Sequence, residues 1–375
     1  MTTESPNFEK LSRLAVTCGG TGGHFYPGLS IAVEAERLGI KVLMLLSGVN
    51  SAAQSEQSRK AGIETVVLPH MPHPGSPAAT LRFIRGSVGG YFRASRELKR
   101  FAPQALLGMG SFAMTPVLLA AKRRSVPIFL HDGNTVIGKA NRWASRIASA
   151  VGCAYPPVNG GAVKCPHELV GMPVRRALRD CAGITKGEAI SRLNENFNAG
   201  FSVEAPTVLV IGGSLGAASF NTVFPEAFKS YGDTLQVMHL SGRGKLEATQ
   251  AAYRGFRGKL LLLDTNGHIE WFMGAADLIF ARAGGSTLAE LTLFGKPAVL
   301  IPYPFAAEAH QQHNAEWFKN CGGGDWVPNS RLDAATALEF LRRPAEFWRQ
   351  CAAASLREAK PDAAEKMLYL IEKNL

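Results

Sequence analysis

The chain has 375 residues, 46% of them hydrophobic and 19% charged, with a formal net charge of +11. These are globular proportions at a length that suits two cores better than one, which excludes a fibrous or low-complexity protein. No apolar run reaches the roughly 20 residues of a spanning helix, and the polar opening, Met1 to Pro6, does not read as a secretory signal. Membrane contact is therefore expected to be peripheral. The positive balance calls for an anionic partner or surface. With no zinc finger, RNA-recognition signature or basic repeat, nucleic acid is not expected to be that partner. Six scattered cysteines without a C-x-x-C pair read as free thiols in a reducing compartment rather than as a zinc site.

The first strand, 14–18, runs into Gly19-Gly20-Thr21-Gly22-Gly23-His24, and then into Pro27 and an apolar helix. Further short apolar runs at 42–46, 65–68, 105–109, 128–131 and 150–154 alternate with helical stretches. Residues 156–161 and 180–205 read as looser, with a hinge between about 170 and 205. A second strand–glycine–helix unit follows: 207–211 leads into Gly212-Gly213-Ser214-Leu215-Gly216-Ala217. Later strand candidates are 235–240, 259–263, 277–281 and 297–301. The tail from Pro344 reads as two helices broken near Pro361.

A strand, glycines at the turn and a helix N-terminus together make an anion site, because glycine lets the backbone approach closely and the free N–H groups point at negative charge. Neither loop has the G-x-G-x-x-G or Walker spacing. The alternation predicts an α/β chain of two doubly wound, Rossmann-like domains facing across a cleft, with ligands at the carboxyl ends of the strands. The expected divisions are 1–172, 173–343, and 344–375 as helices crossing back to the first domain.

Seven short motifs stand in a fixed order. After 19–28 come Gly108-Met109-Gly110-Ser111, His131-Asp132-Gly133-Asn134 and Val170-Gly171-Met172-Pro173-Val174-Arg175. The 212–217 loop, Arg282-Ala283-Gly284-Gly285-Ser286-Thr287-Leu288-Ala289-Glu290 and His310-Gln311-x-x-Asn314-Ala315 follow. The series resembles the MurG-type N-acetylglucosaminyltransferases of glycosyltransferase family 28 over residues 12–325. The resemblance implies the glycosyltransferase B fold. It implies transfer of N-acetylglucosamine from UDP-N-acetylglucosamine to lipid I, giving lipid II and UDP with inversion, no cofactor and no caged metal. The protein would then sit peripherally on the cytoplasmic face of the bacterial plasma membrane.

By the same resemblance, Ser214 and its loop meet the diphosphate, Glu290 takes the ribose hydroxyls, and Gln311 contacts the donor sugar. Asn134, Arg175 and the 285–290 run (Gly285, Ser286, Thr287, Leu288, Ala289) complete the donor set, with Asn266 near the uracil. Gly20, Thr21, Gly22, Gly23, Gly108 and Gly110 are candidates for the acceptor pyrophosphate, and Thr21, Gly22 and Gly23 for the donor as well. His24 is a candidate general base or a phosphate donor, and Asp132 another base or a group that orients one. The chain departs from the family pattern on the acceptor side: Asp132-Gly133-Asn134 stands for Glu-Gln-Asn, Gly171-Met172-Pro173 for Gly-Asn-Pro, and Gly110-Ser111-Phe112 for Gly-Gly-Tyr.

Between His70 and Arg100, the apolar Leu81, Phe83, Ile84, Val88, Tyr91 and Phe92 are interleaved with Arg82, Arg85, Arg93, Arg96, Lys99 and Arg100. That pattern fits an anionic bilayer surface, and equally a core-facing helix with solvated arginines. Two other functions remain open from sequence. One is a related UDP-sugar enzyme, with another acceptor or a 2-epimerase activity; the other is a nucleotide-sugar-binding protein without catalysis.

Overall fold

The structure, a computed structural model, describes residues 8–19, 22–71, 77–213 and 215–375. The chain divides into two compact units, Met1–Arg175 with Pro361–Leu375, and Arg176–Lys360.

Among the described residues the first unit holds a seven-stranded sheet ordered β3-β2-β1-β4-β5-β6-β7. Its strands are β1 (Arg13–Gly19), β2 (Lys41–Ser47), β3 (Glu64–Val67), β4 (Ala105–Gly108), β5 (Ile128–Asp132), β6 (Ala150–Cys153) and β7 (His167–Leu169). Every pairing is parallel. The connecting helices are α1 (Gly22–Arg37), α2 (Ser51–Lys60), α3 (Pro77–Phe101), α4 (Thr115–Arg123) and α5 (Lys139–Ala144). Because helices cover both faces, β1 and β2 are buried along all but their first residue, which is why they read as continuous apolar runs rather than alternations.

The second unit repeats the plan with α6 (Arg176–Asp180), α7 (Lys186–Phe197), β8 (Thr207–Ile211), α8 (Ala218–Tyr231), β9 (Gln236–Leu240), α9 (Leu246–Ala252) and β10 (Lys259–Leu263). It continues through α10 (Ile269–Ala275), β11 (Leu278–Ala281), α11 (Gly285–Leu293), β12 (Ala298–Leu300), α12 (His310–Asn320), β13 (Gly324–Trp326), α13 (Ala334–Leu341) and α14 (Ala345–Arg357). Its parallel sheet runs β10-β9-β8-β11-β12-β13. In each sheet the order reverses beside the first strand, at β1/β4 and at β8/β11. A doubly wound sheet opens its ligand crevice at that switch point. Both glycine loops lie there.

Four local findings differ from the sequence reading. The 180–205 stretch is not loose, since α7 opens with a capping box. Thr185 Oγ1 accepts the Glu188 N–H, and the Glu188 carboxylate accepts the Thr185 N–H at 2.9 Å. Strands β7 and β13 were not foreseen: β7 is exposed at all three residues and β13 is Gly-Asp-Trp, so neither carries an apolar pattern. The tail is divided, with α14 in the second unit and α15 (Ala363–Lys373) in the first. The unit boundary also falls after Arg175 rather than after Met172. Met367, Leu368 and Ile371 of α15 join Ile31, Ala32 and Ala35 of α1 in one core. The Glu372 carboxylate then accepts the backbone N–H groups of Glu9, Lys10 and Leu11 at 2.9–3.0 Å.

Candidate functional site

In the first unit the candidate groups collect beyond the carboxyl ends of β1, β4 and β5. Gly19 must be glycine because a Cβ there would stand 2.3 Å from the Ser47 carbonyl. Three residues later α1 begins, bringing His24 and Tyr26 onto its first turns. Gly110, after β4, has φ +90°, and a Cβ on it would meet Asn141 Nδ2 at 3.0 Å and His24 Cδ2 at 3.6 Å. His24 therefore borders Gly110, on the side where the backbone is bare. Arg175 lies over the Tyr26 ring, 5.5 Å from its centroid, which holds the guanidinium beside α1.

His131 and Asp132 end β5 and are buried. His131 donates from Nε2 to the Gly171 carbonyl at 3.0 Å. Burial, and then the nearby His24, push its pKa down to about 4, so it is neutral near pH 7. Asp132 accepts three N–H groups: Asn134 N at 3.2 Å on Oδ1, and Gly138 N and Asn141 Nδ2, both at 2.9 Å, on Oδ2. Asn141 also donates to the His131 carbonyl at 2.9 Å.

In the second unit two glycine turns lie against each other beyond β8 and β9. A Cβ on Gly216 (φ +65°) would lie 1.9 Å from the Ser241 carbonyl oxygen, and one on Gly242 (φ +92°) 2.4 Å from the Gly216 nitrogen. Gly213 (φ +84°) has nothing within 4 Å of its missing Cβ and so presents open backbone. Behind the first turn, α8 starts without a side-chain cap; beyond β11, α11 does the same at Gly284. A helix start of this kind directs its dipole and first N–H groups at an anion. On α11, Ser286 Oγ is buried without a partner and Glu290 is half-buried one turn on. The Asn314 amide, on α12, holds the strand-to-helix bend through the Ala283 carbonyl at 2.9 Å. Gln311 uses its Oε1 to accept the Tyr303 N–H at 2.9 Å, leaving the amide N–H groups for a ligand.

Several expected residues have other tasks. Gly20, Thr21 and Ser214 lie outside the described residues. Asp132 accepts N–H groups on both oxygens and so anchors the turn into α5. Gly108 is glycine for packing, since a Cβ would meet Met114 Sδ at 2.9 Å. Leu288 and Ala289 bury their side chains, and the Leu288 N–H is spent on the Gly284 carbonyl. Asn266 Oδ1 accepts the His268 N–H at 2.6 Å, leaving its amide N–H groups and the backbone for a base. Tyr91 packs on the core rather than facing out. The sequence reading missed Tyr26, Asn141 and the 241–244 turn. The last carried a signal, Ser-Gly-Arg-Gly directly after a strand.

Two Rossmann-like units, each with a glycine loop and a helix N-terminus at its switch point, define the glycosyltransferase B architecture. The chain belongs to glycosyltransferase family 28: the N-terminal domain model of that family matches residues 14–153 and the C-terminal domain model residues 207–367. It is 30% identical, over 97% of its length and 99% of the relative's, to the UDP-N-acetylglucosamine--N-acetylmuramyl-(pentapeptide) pyrophosphoryl-undecaprenol N-acetylglucosamine transferase of Desulforamulus reducens. It is 32% identical to the transferase of the same name from Shewanella halifaxensis, over 88% of this chain and 87% of that one. The crystal structure of Acinetobacter baumannii MurG matches with a TM-score of 0.76 at 24% identity, over 96% of this chain and 99% of that one. UDP-GlcNAc 2-epimerase of Neisseria meningitidis shares the fold at TM-score 0.70 and 13% identity, over 96% and 100% of the two chains.

Proposed function

We propose that this protein transfers N-acetylglucosamine from UDP-N-acetylglucosamine to lipid I, inverting the anomeric centre and releasing UDP and lipid II. The observation that carries this reading is the 30% identity, end to end, to a relative of that name. The acceptor C4 oxygen attacks C1 of the donor sugar, and the bond from C1 to the diphosphate oxygen breaks. The electron pair leaves with UDP, and His24, bordering the bare backbone of Gly110, takes the hydroxyl proton. The leaving charge develops against the 212–217 loop, the N-terminus of α11 and Arg175. Glu290 accepts the ribose hydroxyls, and the Gln311 amide donates to the sugar.

The lipid-linked acceptor calls for a membrane-facing surface, and α3 supplies one. Residues 81–85 are exposed on every side of that helix, and Leu81, Ile84, Val88 and Phe92 are each 49–66% exposed. Arg82, Arg85, Arg93 and Arg96 among them have no carboxylate partner among the described residues. Helices α4 and α5 pack in the same layer, adding exposed Leu119 and Trp143, with Lys139 and Arg146 lining the depression beside Trp143. We assign this face to the anionic cytoplasmic leaflet. The test is turnover of labelled UDP-N-acetylglucosamine by the purified protein with lipid I. Lipid II and UDP in equal amounts are expected; release of UDP only with another acceptor, epimerised sugar, or donor binding without turnover would each refute the reading.

A further inference from the structure

A chain of buried polar groups runs beneath the paired glycine turns of the second unit. Tyr253 is the C-cap of α9, His239 sits on β9, and Asn221 lies on the first turn of α8. All three are at most 7% exposed. His239 Nδ1 is 2.9 Å from the Tyr253 hydroxyl, its Nε2 is 3.0 Å from Asn221 Oδ1, and Asn221 Nδ2 is 3.0 Å from the Ser241 carbonyl oxygen.

The last bond fixes the direction of the others. Only the amide nitrogen can donate to a carbonyl, so Asn221 turns its oxygen to the imidazole and Nε2 must carry the proton. Nδ1 is then the acceptor, and the Tyr253 hydroxyl donates to it. Every member is satisfied in a single arrangement. Burial holds the imidazole neutral, pushing its pKa down to about 3.

The carbonyl at the end of this chain is the one against which Gly216 is packed without room for a Cβ. Gly242, the next residue, abuts the Gly216 nitrogen in turn. Lys245 adds a second tie, donating to the Leu215 carbonyl at 2.8 Å. A shift of Ser241 has no slack to absorb it and passes to the 212–217 loop. Three buried polar groups in a core otherwise filled by Phe220, Phe224, Phe280 and Val237 are costly unless fully paired. A leucine at 239 would fill the space with no such requirement.

We propose that Tyr253, His239 and Asn221 are positioning residues, a relay that sets the 241–242 turn and through it the loop that receives the donor's diphosphate. The inference rests on the donor-site reading above. The relay touches no substrate and acts only through that loop, so its loss should weaken donor binding and the stabilisation of the leaving diphosphate while sparing the acceptor.

The test is calorimetry with UDP and steady-state kinetics on the full chain, comparing His239→Leu, His239→Gln and Tyr253→Phe. His239→Leu should raise the Kd for UDP and the donor KM about tenfold and lower kcat, with the lipid I KM near the parent's. His239→Gln should recover most of the loss, because its amide nitrogen can donate to Asn221 from the place of Nε2. Tyr253→Phe, which removes one hydroxyl and keeps the ring, should fall between them. If His239→Leu does not fold, the other two carry the test. Folded variants binding UDP within about twofold of the parent would overturn the relay alone, as would glutamine behaving no better than leucine. A parent that binds no UDP would overturn the donor reading, and the relay with it.

Discussion

Lowering the pH from 7.5 should destabilise both units through one buried histidine in each. His131 titrates near 4 and His239 near 3, against 6.5 for the free side chain. Their folded pKa values are depressed, so between 6.5 and the folded value the unfolded chain binds a proton that the folded chain refuses. The stability these groups allow is thus intact above 6.5 and is lost as pH falls below it. At 1.36 kcal/mol per unit, the loss at about pH 4.5 is about 2.5 kcal/mol for each histidine. A domain holds only about 5–15 kcal/mol in total. Neither ring is exposed enough for solvent to screen the effect. Urea unfolding of the parent, His131→Gln and His239→Gln at pH 7.5, 6.0 and 4.5 separates this from carboxylate protonation, which is common to all three. Each variant should be less stable than the parent at pH 7.5, and the gap should narrow by about 2.5 kcal/mol by pH 4.5. A gap constant across the series would refute the assignment of neutral, buried imidazoles.

Glu290→Ala should weaken UDP-N-acetylglucosamine binding by about 1.5–3 kcal/mol, the range for hydrogen bonds to a charged acceptor; unchanged affinity in calorimetry would remove Glu290 from the donor site. His24→Ala should lower kcat by about 10²–10⁴ at saturating donor while the donor Kd holds, and a near-parent rate with lipid I would exclude it as the base. Glu372→Gln should loosen the attachment of residues 9–11 to α15, at a cost of about 1–2 kcal/mol in unfolding of the first unit, checked by urea denaturation with UDP binding as the unaffected control. Replacing Arg82, Arg85, Arg93 and Arg96 by glutamine, at about 1 kcal/mol for each charge near the surface, should release the protein from anionic vesicles at low salt. Sedimentation equal to the parent's across a salt series would return those arginines to solvent.

The sheets were legible because parallel strands covered on both faces leave continuous apolar runs. Leu14 to Cys18 and Thr207 to Ile211 are unmistakable, and the glycines that end them mark the switch points. What was not legible divides by cause. Edge strands β7 and β13 carry no periodicity, because a strand with one neighbour and an open face needs none. The α7 cap is written in Thr185-Lys186-Gly187-Glu188, inside a stretch that otherwise reads as a hinge. The return of α15 to the first unit rests on its apolar face and on Glu372 meeting three backbone donors at the far end of the chain, a pairing that spacing cannot reveal.

Within the candidate site, sequence identifies groups but not how far each is already committed. Asp132 and Asn266 look uncommitted in a string of letters; in the fold their side-chain oxygens already accept nearby N–H groups, a local competition typical of Asp and Asn. The acceptor-side departures are also fewer than they look. Gly133 and Met172 stand well apart in sequence and read as two separate changes from the family pattern. In space a Cβ on Gly133 would lie 2.6 Å from Met172 Cε and 3.4 Å from its Sδ. The buried thioether therefore fills the volume that glycine leaves open, and each residue permits the other. Met172 follows Gly171, whose carbonyl receives the His131 ring, so the pair packs directly against the wall that holds β5 and its turn in place. Gly133 and Met172 are one exchange of volume, a glycine made room for by nothing and a methionine made necessary by it, and the acceptor side keeps its frame of His131, Asp132 and Asn141 around that exchange.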